Sequence, residues 1–276
     1  MDGGGDCKML IEQTEPLKAL VFGAKGYFGN NISSGFKTIQ TIPDSKTDIT
    51  KIDDVVNSIL FYNPDICINA GAKVNEDLAE ENMKYWSEML NVNVLGAINV
   101  LKACEITDKK LTHLRTPFET EVLDDYSLGK ASAYQFIKAD KYKHMVLAVS
   151  PGWAFGGINS RQFDALLIRS IKEKIPLGIT NNSYCFPIYM PNFISKLEQV
   201  ILKGKLGHIN IAGIEKATRY EFAKCLARHF GKTMRELNWR EDNNFKESAR
   251  RPSLWGQPGV EPSYKDAMKD FVKKNF

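Results

Sequence analysis

A short apolar run, Leu17-Lys-Ala-Leu-Val-Phe22, passes straight into Gly23-Ala-Lys-Gly26-Tyr-Phe-Gly29 and then into a polar stretch with helical spacing from Asn30 to Phe36. This order of strand, glycine turn and helix near the chain start constrains the fold more than any other feature. It opens a crossover unit in which backbone N–H groups at a helix N-terminus can approach a pyrophosphate. The plain alternative is an ordinary strand-to-helix turn, and the flanking strand and helix are what favour nucleotide binding.

The alternation continues along the chain. Thr38–Ile42 reads as a strand, Ile52–Tyr62 as a helix and Asp65–Ala70 as a continuous apolar strand. A helical pattern then runs through Trp86, Leu90 and Val94 to Ala103. Lys110–Leu114 is the next strand, Tyr126–Ala139 a helix and His144–Val149 another strand. Strands that are apolar throughout, alternating with helices, imply a parallel sheet covered on both faces. The expected fold is α/β, a Rossmann-like doubly wound parallel sheet.

Beyond Gly156 the pattern loosens. Phe163–Ile171 and Phe193–Leu202 read as helices, Phe186–Tyr189 as an extended piece, His208–Ile211 as a strand and Tyr220–Phe230 as an amphipathic helix, with turn signals at Pro252, Pro258 and Pro262. The expected organisation is a mobile N-terminal tail over 1–16, a nucleotide-binding unit over 17–156 and a smaller mixed α/β substrate lobe over 157–276, separate from the first or interleaved with it.

With 276 residues and 43% hydrophobic content, the chain has ample material for such cores, and the composition argues against disorder. No uninterrupted apolar run approaches the roughly 18–20 residues of a membrane span. The start, MDGGGDCKMLIEQTEP, lacks the basic-then-apolar order of a signal peptide. The net charge of +4 is mild and its basic residues are scattered, which argues against nucleic acid as a partner and suits anionic small molecules. Five cysteines without a CxxC, with Cys67 and Cys104 in apolar patterns, fit buried thiols in a reducing cytoplasm rather than disulfides or zinc. The four histidines share no ligand spacing, so no metal is expected.

The GxxGxxG spacing at Gly23, Gly26 and Gly29 resembles the fingerprint of extended short-chain dehydrogenases/reductases. Further segments agree in order: Thr47-Asp48-Ile49-Thr50, Asn63 to Ala72, Asp77-Leu-Ala-Glu80, Asn91-Val-Asn93-Val-Leu-Gly96-Ala-Ile-Asn99, Tyr126-Ser-Leu-Gly-Lys130, Ser150-Pro-Gly-Trp153 and Ala249-Arg-Arg-Pro252. From about Leu17 to the C-terminus the set is most similar to the dTDP-4-dehydrorhamnose reductase family. That resemblance implies NAD(P)H-dependent reduction of a 4-keto-6-deoxy nucleotide sugar in polysaccharide or glycan precursor synthesis. It places Gly23, Gly26, Tyr27, Phe28, Gly29 and Lys130 at the cofactor, Asp48 and Ile49 by the adenine, and Ala70, Gly71 and Ala72 along the cofactor's central part. Asp48 also reads as a cap before the helix at Ile52. Pro43-Asp44-Ser45-Lys46 offers both signs of charge to the adenosine ribose, and family habit favours NADP(H) over NAD(H).

The family's chemistry uses a tyrosine as proton donor, a lysine one helical turn on that lowers the tyrosine pKa and holds the ribose, and a hydroxyl that polarises the carbonyl. Tyr-x-x-x-Lys occurs three times here, at Tyr126/Lys130, Tyr134/Lys138 and Tyr220/Lys224. Position selects Tyr126 and Lys130, because Tyr126 opens its helix. Tyr134 lies about 80° around the helix and two turns further from the strand ends, and Tyr220 lies far outside the nucleotide unit.

Thr116 is the one match to the family's catalytic hydroxyl. The loop from there to Tyr126 is short, and an alternative alignment leaves no catalytic hydroxyl. That departure keeps open a second reading, a non-catalytic nucleotide-binding regulatory or partner subunit on the same scaffold. Pro117-Phe118 excludes the acid–base work of a nucleotide-sugar dehydratase. Val74, Trp153 and Arg251 fall at positions that face the substrate in the family, Arg251 near its diphosphate. Trp153 also reads as core filling, and Arg250-Arg251 as a solvated basic pair. A homodimer stays open.

Overall fold

The computed structural model describes residues 15–73, 82–115, 125–151, 153–158, 162–182, 184–242 and 262–275, with backbone alone at 125–128, 140, 150 and 151. Six strands form one parallel sheet: β1 (Lys18–Phe22), β2 (Gln40–Asp44), β3 (Ile66–Asn69), β4 (Lys110–Leu114), β5 (Val146–Pro151) and β10 (Gly207–Ile211). Their spatial order is β10-β5-β4-β3-β1-β2, and every pairing is parallel. The α/β Rossmann-like expectation holds.

The strands are apolar throughout because both faces are covered. Ala19, Val21, Ile66, Ile68, Leu147, Val149 and Ile211 point to one side, where they meet α1 (Tyr27–Gly35) and α7 (Met190–Leu202). Leu20, Phe22, Cys67, Leu111, Val146 and Ala148 point to the other. That side is covered by α2 (Ile52–Tyr62), by the continuous helix of α3 (Met83–Leu90), a π-helical segment (Asn91–Gly96) and α4 (Ala97–Ile106), and by α5 (Asp125–Lys138). Residues 190–211, expected in the substrate lobe, thus supply both a covering helix and an edge strand of the main sheet.

Among the described residues Met83–Ile106 is the one helix long and apolar enough to cross a membrane, and it is half buried inside the fold. The apolar-run criterion passed it over because Lys84, Glu88, Lys102 and Glu105 interrupt it.

A second core gathers β6 (Trp153–Phe155), α6 (Phe163–Glu173), β7 (Leu177–Ile179), β9 (Pro187–Tyr189), α8 (Arg219–His229) and α9 (Tyr264–Asn275). Phe222 is at its centre, with Trp153 at 4.7 Å, Phe155 at 5.0 Å and Tyr264 at 5.7 Å between ring centroids. Short pairs edge it: β7 with β12 (Trp239–Glu241), β6 with β9, and β8 (Tyr184–Cys185) with β11 (Ala217–Thr218).

Two strand boundaries differ from expectation for visible reasons. The second strand starts at Gln40 rather than Thr38 because Glu198 Oε1 on α7 accepts the backbone N–H groups of Lys37, Thr38 and Ile39 at 2.8, 2.6 and 2.9 Å. Those donors are then not free for a ladder. The fifth begins at Val146 because residues before it close a turn, Met145 N–H donating to the Tyr142 carbonyl. Helix α7 starts at Met190, earlier than expected, with Pro191 in its first turn, where a missing N–H costs nothing.

Candidate active site

The sheet reverses its winding at β1, which lies between β2 and β3, and crevices at such points bind ligands in open α/β sheets. The loops leaving β1 and β3 meet there backbone to backbone. Gly23 has φ +76°, and a Cβ on it would stand 2.6 Å from Gly71 Cα. On Gly29 a Cβ would stand 2.2 Å from the Gly23 carbonyl oxygen, so only glycine lets α1 lie against the turn.

Gly26 differs from both. It is exposed, and a Cβ there would meet only the Gly23 oxygen, at 3.2 Å. It is also the N-cap of α1, whose first turn carries neither a side-chain cap nor an acid. Space above Gly26 and uncapped N–H groups at the helix start fit a pyrophosphate, as a dinucleotide cofactor would present.

Of the residues assigned to the cofactor by resemblance, Gly23, Gly71 and Ile49 meet at this crevice. Ile49 is buried, its Cδ1 lying where a Cβ on Gly71 or Gly96 would come within 2.9 and 2.8 Å, and Asn99 Nδ2 donates to its carbonyl at 3.1 Å. Asp48 is exposed. Its Oδ1 accepts from the Thr50 hydroxyl at 2.7 Å and the Thr50 N–H at 3.0 Å, bonds that hold its pKa below the usual carboxylate range. Asp48 therefore braces a turn rather than capping α2, whose N-cap, Lys51, makes no side-chain capping bond. Ala70 N–H donates to the Phe22 carbonyl and Gly71 N–H to Asn69 Oδ1, while Ala72 is exposed.

Tyr27 and Phe28 pack as an edge-on ladder with Phe193, at 5.5 and 5.4 Å between centroids. The Tyr27 hydroxyl accepts from the Gly157 N–H at 3.2 Å, so that side chain braces the loop after β6.

Lys130 lies on α5, four residues after Tyr126, and is 5% exposed. Burial lowers its pKa to about 8, so at neutral pH it remains largely an ammonium, and among the described residues nothing pairs with it. On β4 is His113, 1% exposed, pushed down to about 3 by burial together with the charges of Lys130 and Arg115.

The alternative tyrosine, Tyr134, is buried in the core. Its hydroxyl shares a 2.9 Å hydrogen bond with His208 Nδ1, and the Arg115 guanidinium stands 4.7 Å over its ring. Trp153 packs on Phe163 and Phe222 and is half-buried. Val74, Thr116 and Arg251 lie outside the described residues, as does the segment Asp77-Leu-Ala-Glu80, and Tyr126 is placed by its backbone alone.

Four side-chain arrangements near the site were not read from the sequence. Asp44, at the end of β2, is turned inward: it accepts from the Lys46 and Thr47 N–H groups and the Thr47 and Ser58 hydroxyls. Burial opposes its ionised form, yet these bonds hold its pKa below the usual range. Asn93, in the π-helical segment, fixes Lys73 after β3 by a reciprocal pair of 2.9 Å bonds to its N–H and carbonyl. Asn31 on α1 does the same for Ile158, at 2.8 and 3.2 Å. His113 is the fourth. Asn93 had a signal in the Asn-Val-Asn-Val-Leu-Gly run, and Asp44 in Pro43-Asp44-Ser45-Lys46, where it reads as a charge offered to the ribose rather than as an inward-turned acceptor.

A family model described as RmlD substrate binding domain matches residues 17–254. A dTDP-4-dehydrorhamnose reductase of Aggregatibacter actinomycetemcomitans is 26% identical over 233 residues, covering 75% of this chain and 76% of that protein. Another from Mycolicibacterium smegmatis is 23% identical over an alignment of 284 residues, covering 92% and 85%. The solved dTDP-4-dehydrorhamnose reductase of Bacillus anthracis, in complex with NADP, superposes with a TM-score of 0.79 at 20% identity, over 95% of this chain and 99% of that one. These relatives are named as reductases, which gives the non-catalytic alternative no support. The match spans both the glycine turn and the helix of Tyr126 and Lys130, and the chain belongs to the RmlD substrate binding domain family.

Proposed function

We propose that this chain is an NAD(P)H-dependent oxidoreductase of the extended short-chain type that reduces a 4-keto-6-deoxy nucleotide sugar for polysaccharide or glycan precursor synthesis. The observation that carries the reading is Lys130: a buried ammonium one turn along α5 from Tyr126, in a fold whose glycine turn is shaped for a dinucleotide. When bound, the reduced nicotinamide supplies hydride to the keto carbon. Gly23, Gly26 and Gly29 with the start of α1 hold the pyrophosphate, Asp48 and Ile49 flank the adenine, and Ala70–Ala72 line the middle of the site. Tyr126 gives its proton to the forming alkoxide, Lys130 lowers the tyrosine pKa and grips the ribose, and Thr116 polarises the carbonyl. Val74, Trp153 and Arg251 contact the sugar nucleotide.

NADP(H) is the preferred cofactor. Asp44, the acid placed to accept the ribose hydroxyls of NAD, already receives four internal hydrogen bonds, whereas Lys25 and Lys46 are exposed on either side. The protein works in the cytoplasm on a small-molecule partner.

Thermal shift with NADPH, NADH and FAD in parallel tests the reading, since a ligand of the native state raises stability. NADPH should give the largest shift and FAD none. No shift with either nicotinamide, at concentrations well above micromolar, would sink the proposal.

A further inference from the structure

The two cores meet at β6 and the residues that follow it. Ala154 packs into the core on the α1 side of the sheet, whereas Phe155 packs into the second core against Tyr189, Phe222 and Phe271. Gly156 is held from the second core: its N–H donates to Asp164 Oδ2 at 2.8 Å. Its φ is +74°, and a Cβ there would stand 2.5 Å from the Tyr189 ring.

From the other side, two α1 side chains take up backbone groups of the same segment. The Tyr27 hydroxyl donates to the Ala154 carbonyl at 3.4 Å and accepts from the Gly157 N–H at 3.2 Å. Asn31, 5% exposed, accepts from the Ile158 N–H at 2.8 Å through Oδ1. Its Nδ2 donates to the Ile158 carbonyl at 3.2 Å and to the Tyr27 carbonyl at 2.7 Å. The contact is tight: a Cβ on Gly157 would stand 2.7 Å from Tyr27 Cε2, 2.8 Å from its hydroxyl and 2.9 Å from Asn31 Nδ2. Neither side chain caps α1, so the helix itself has no need of them.

Each end of this contact adjoins a proposed ligand site. Tyr27 opens α1 directly after Gly26, and Asn31 is one helical turn further on. Trp153 immediately precedes Ala154. We propose that Asn31, acting with the Tyr27 hydroxyl, is a positioning residue for the substrate side of the site. A cofactor pyrophosphate that fixes the first turn of α1 thereby fixes Ala154–Ile158, and with it Trp153, so cofactor and sugar nucleotide each tighten the other's binding. A support already ordered by one ligand costs the second less to order, and such coupling is reciprocal. The coupling rests on the proposed places of the pyrophosphate at Gly26 and the sugar nucleotide at Trp153.

The test is hydrogen–deuterium exchange of the full chain, with and without saturating NADP+, in wild type, Asn31→Ala and Gly157→Ala. The two variants break the contact from opposite sides, and either serves should the other not fold. In wild type, NADP+ should slow exchange roughly fivefold or more both in the glycine turn and in Ala154–Ile158. Each variant should keep the protection of the turn and lose that of the segment. Where turnover is measurable, the KM for the sugar nucleotide should rise about tenfold while kcat stays within about threefold of wild type. A merely structural contact would lower Tm and speed exchange in the segment, leaving its protection by NADP+ intact. That result overturns the proposal, as does a wild-type segment left unprotected beside a protected turn. No protection of the turn itself, with NADP+ and NAD+ alike, would instead overturn the cofactor reading and the coupling with it.

Discussion

The three glycines of the turn are alike in sequence and unlike in function. At Gly29 a methyl group would be driven into a backbone carbonyl, and at Gly23 a side chain would face both a positive φ and the Gly71 backbone. At Gly26 it would project into the space left for a ligand. Gly29→Ala should therefore destabilise the fold by at least about 3 kcal/mol, seen as a lower denaturation midpoint. Gly26→Ala should change stability by less than about 1 kcal/mol yet weaken NADPH binding tenfold or more. Equal stability losses in the two variants, with NADPH affinity intact in the second, would mean the space above Gly26 is not the pyrophosphate site. The motif was legible in the sequence; the division of labour within it was not, because it depends on the distant loop at Gly71.

At the scale of elements, what pattern could show was periodicity, and what it could not show was long-range hydrogen bonding. The apolar runs at Lys18–Phe22 and Lys110–Leu114 announced themselves. The start of β2 did not, since it is set by Glu198 from a helix some 160 residues away. The C-terminal helix α9 was passed over, although Tyr264, Ala267, Met268 and Phe271 have helical spacing. The prolines before it read as turn signals, and the segment after Pro262 was given no element.

The strand β4 carries a consequence for acid stability. His113 titrates near 3 when folded and near its ordinary 6.5 when unfolded, so between these values the unfolded chain binds more protons. Stability must then fall as pH drops through that window, by roughly 2 kcal/mol between pH 6.5 and 5 from this residue alone. Asp44, held below its ordinary value, adds a loss at the lower end of the same range. Denaturant unfolding across pH should show a shallower acid slope in His113→Leu. An identical slope would mean that the ring is protonated in the fold.

For the whole molecule, the nucleotide-binding half was readable because one sheet obeys one rule of alternation, whereas the rest is built from two- and three-residue strands around Phe222 that leave little pattern. Three Tyr-x-x-x-Lys pairs compete in the sequence, and position along the chain favours Tyr126 and Lys130 there. The structure adds that Tyr134 is committed to His208 in the core and that Lys130 is buried.

The most direct measurement follows NADPH oxidation with a 4-keto-6-deoxy nucleotide sugar in wild type, Tyr126→Phe and Tyr134→Phe, with NADPH affinity measured alongside. Tyr126→Phe should bind NADPH normally and lose roughly 10²–10⁴ in turnover, because the ring stays and only the proton donor goes. Tyr134→Phe should turn over near the wild-type rate and lose about 1 kcal/mol of stability with its bond to His208. Turnover abolished in Tyr134→Phe and retained in Tyr126→Phe, or no oxidation by a wild type that binds NADPH, would contradict the account.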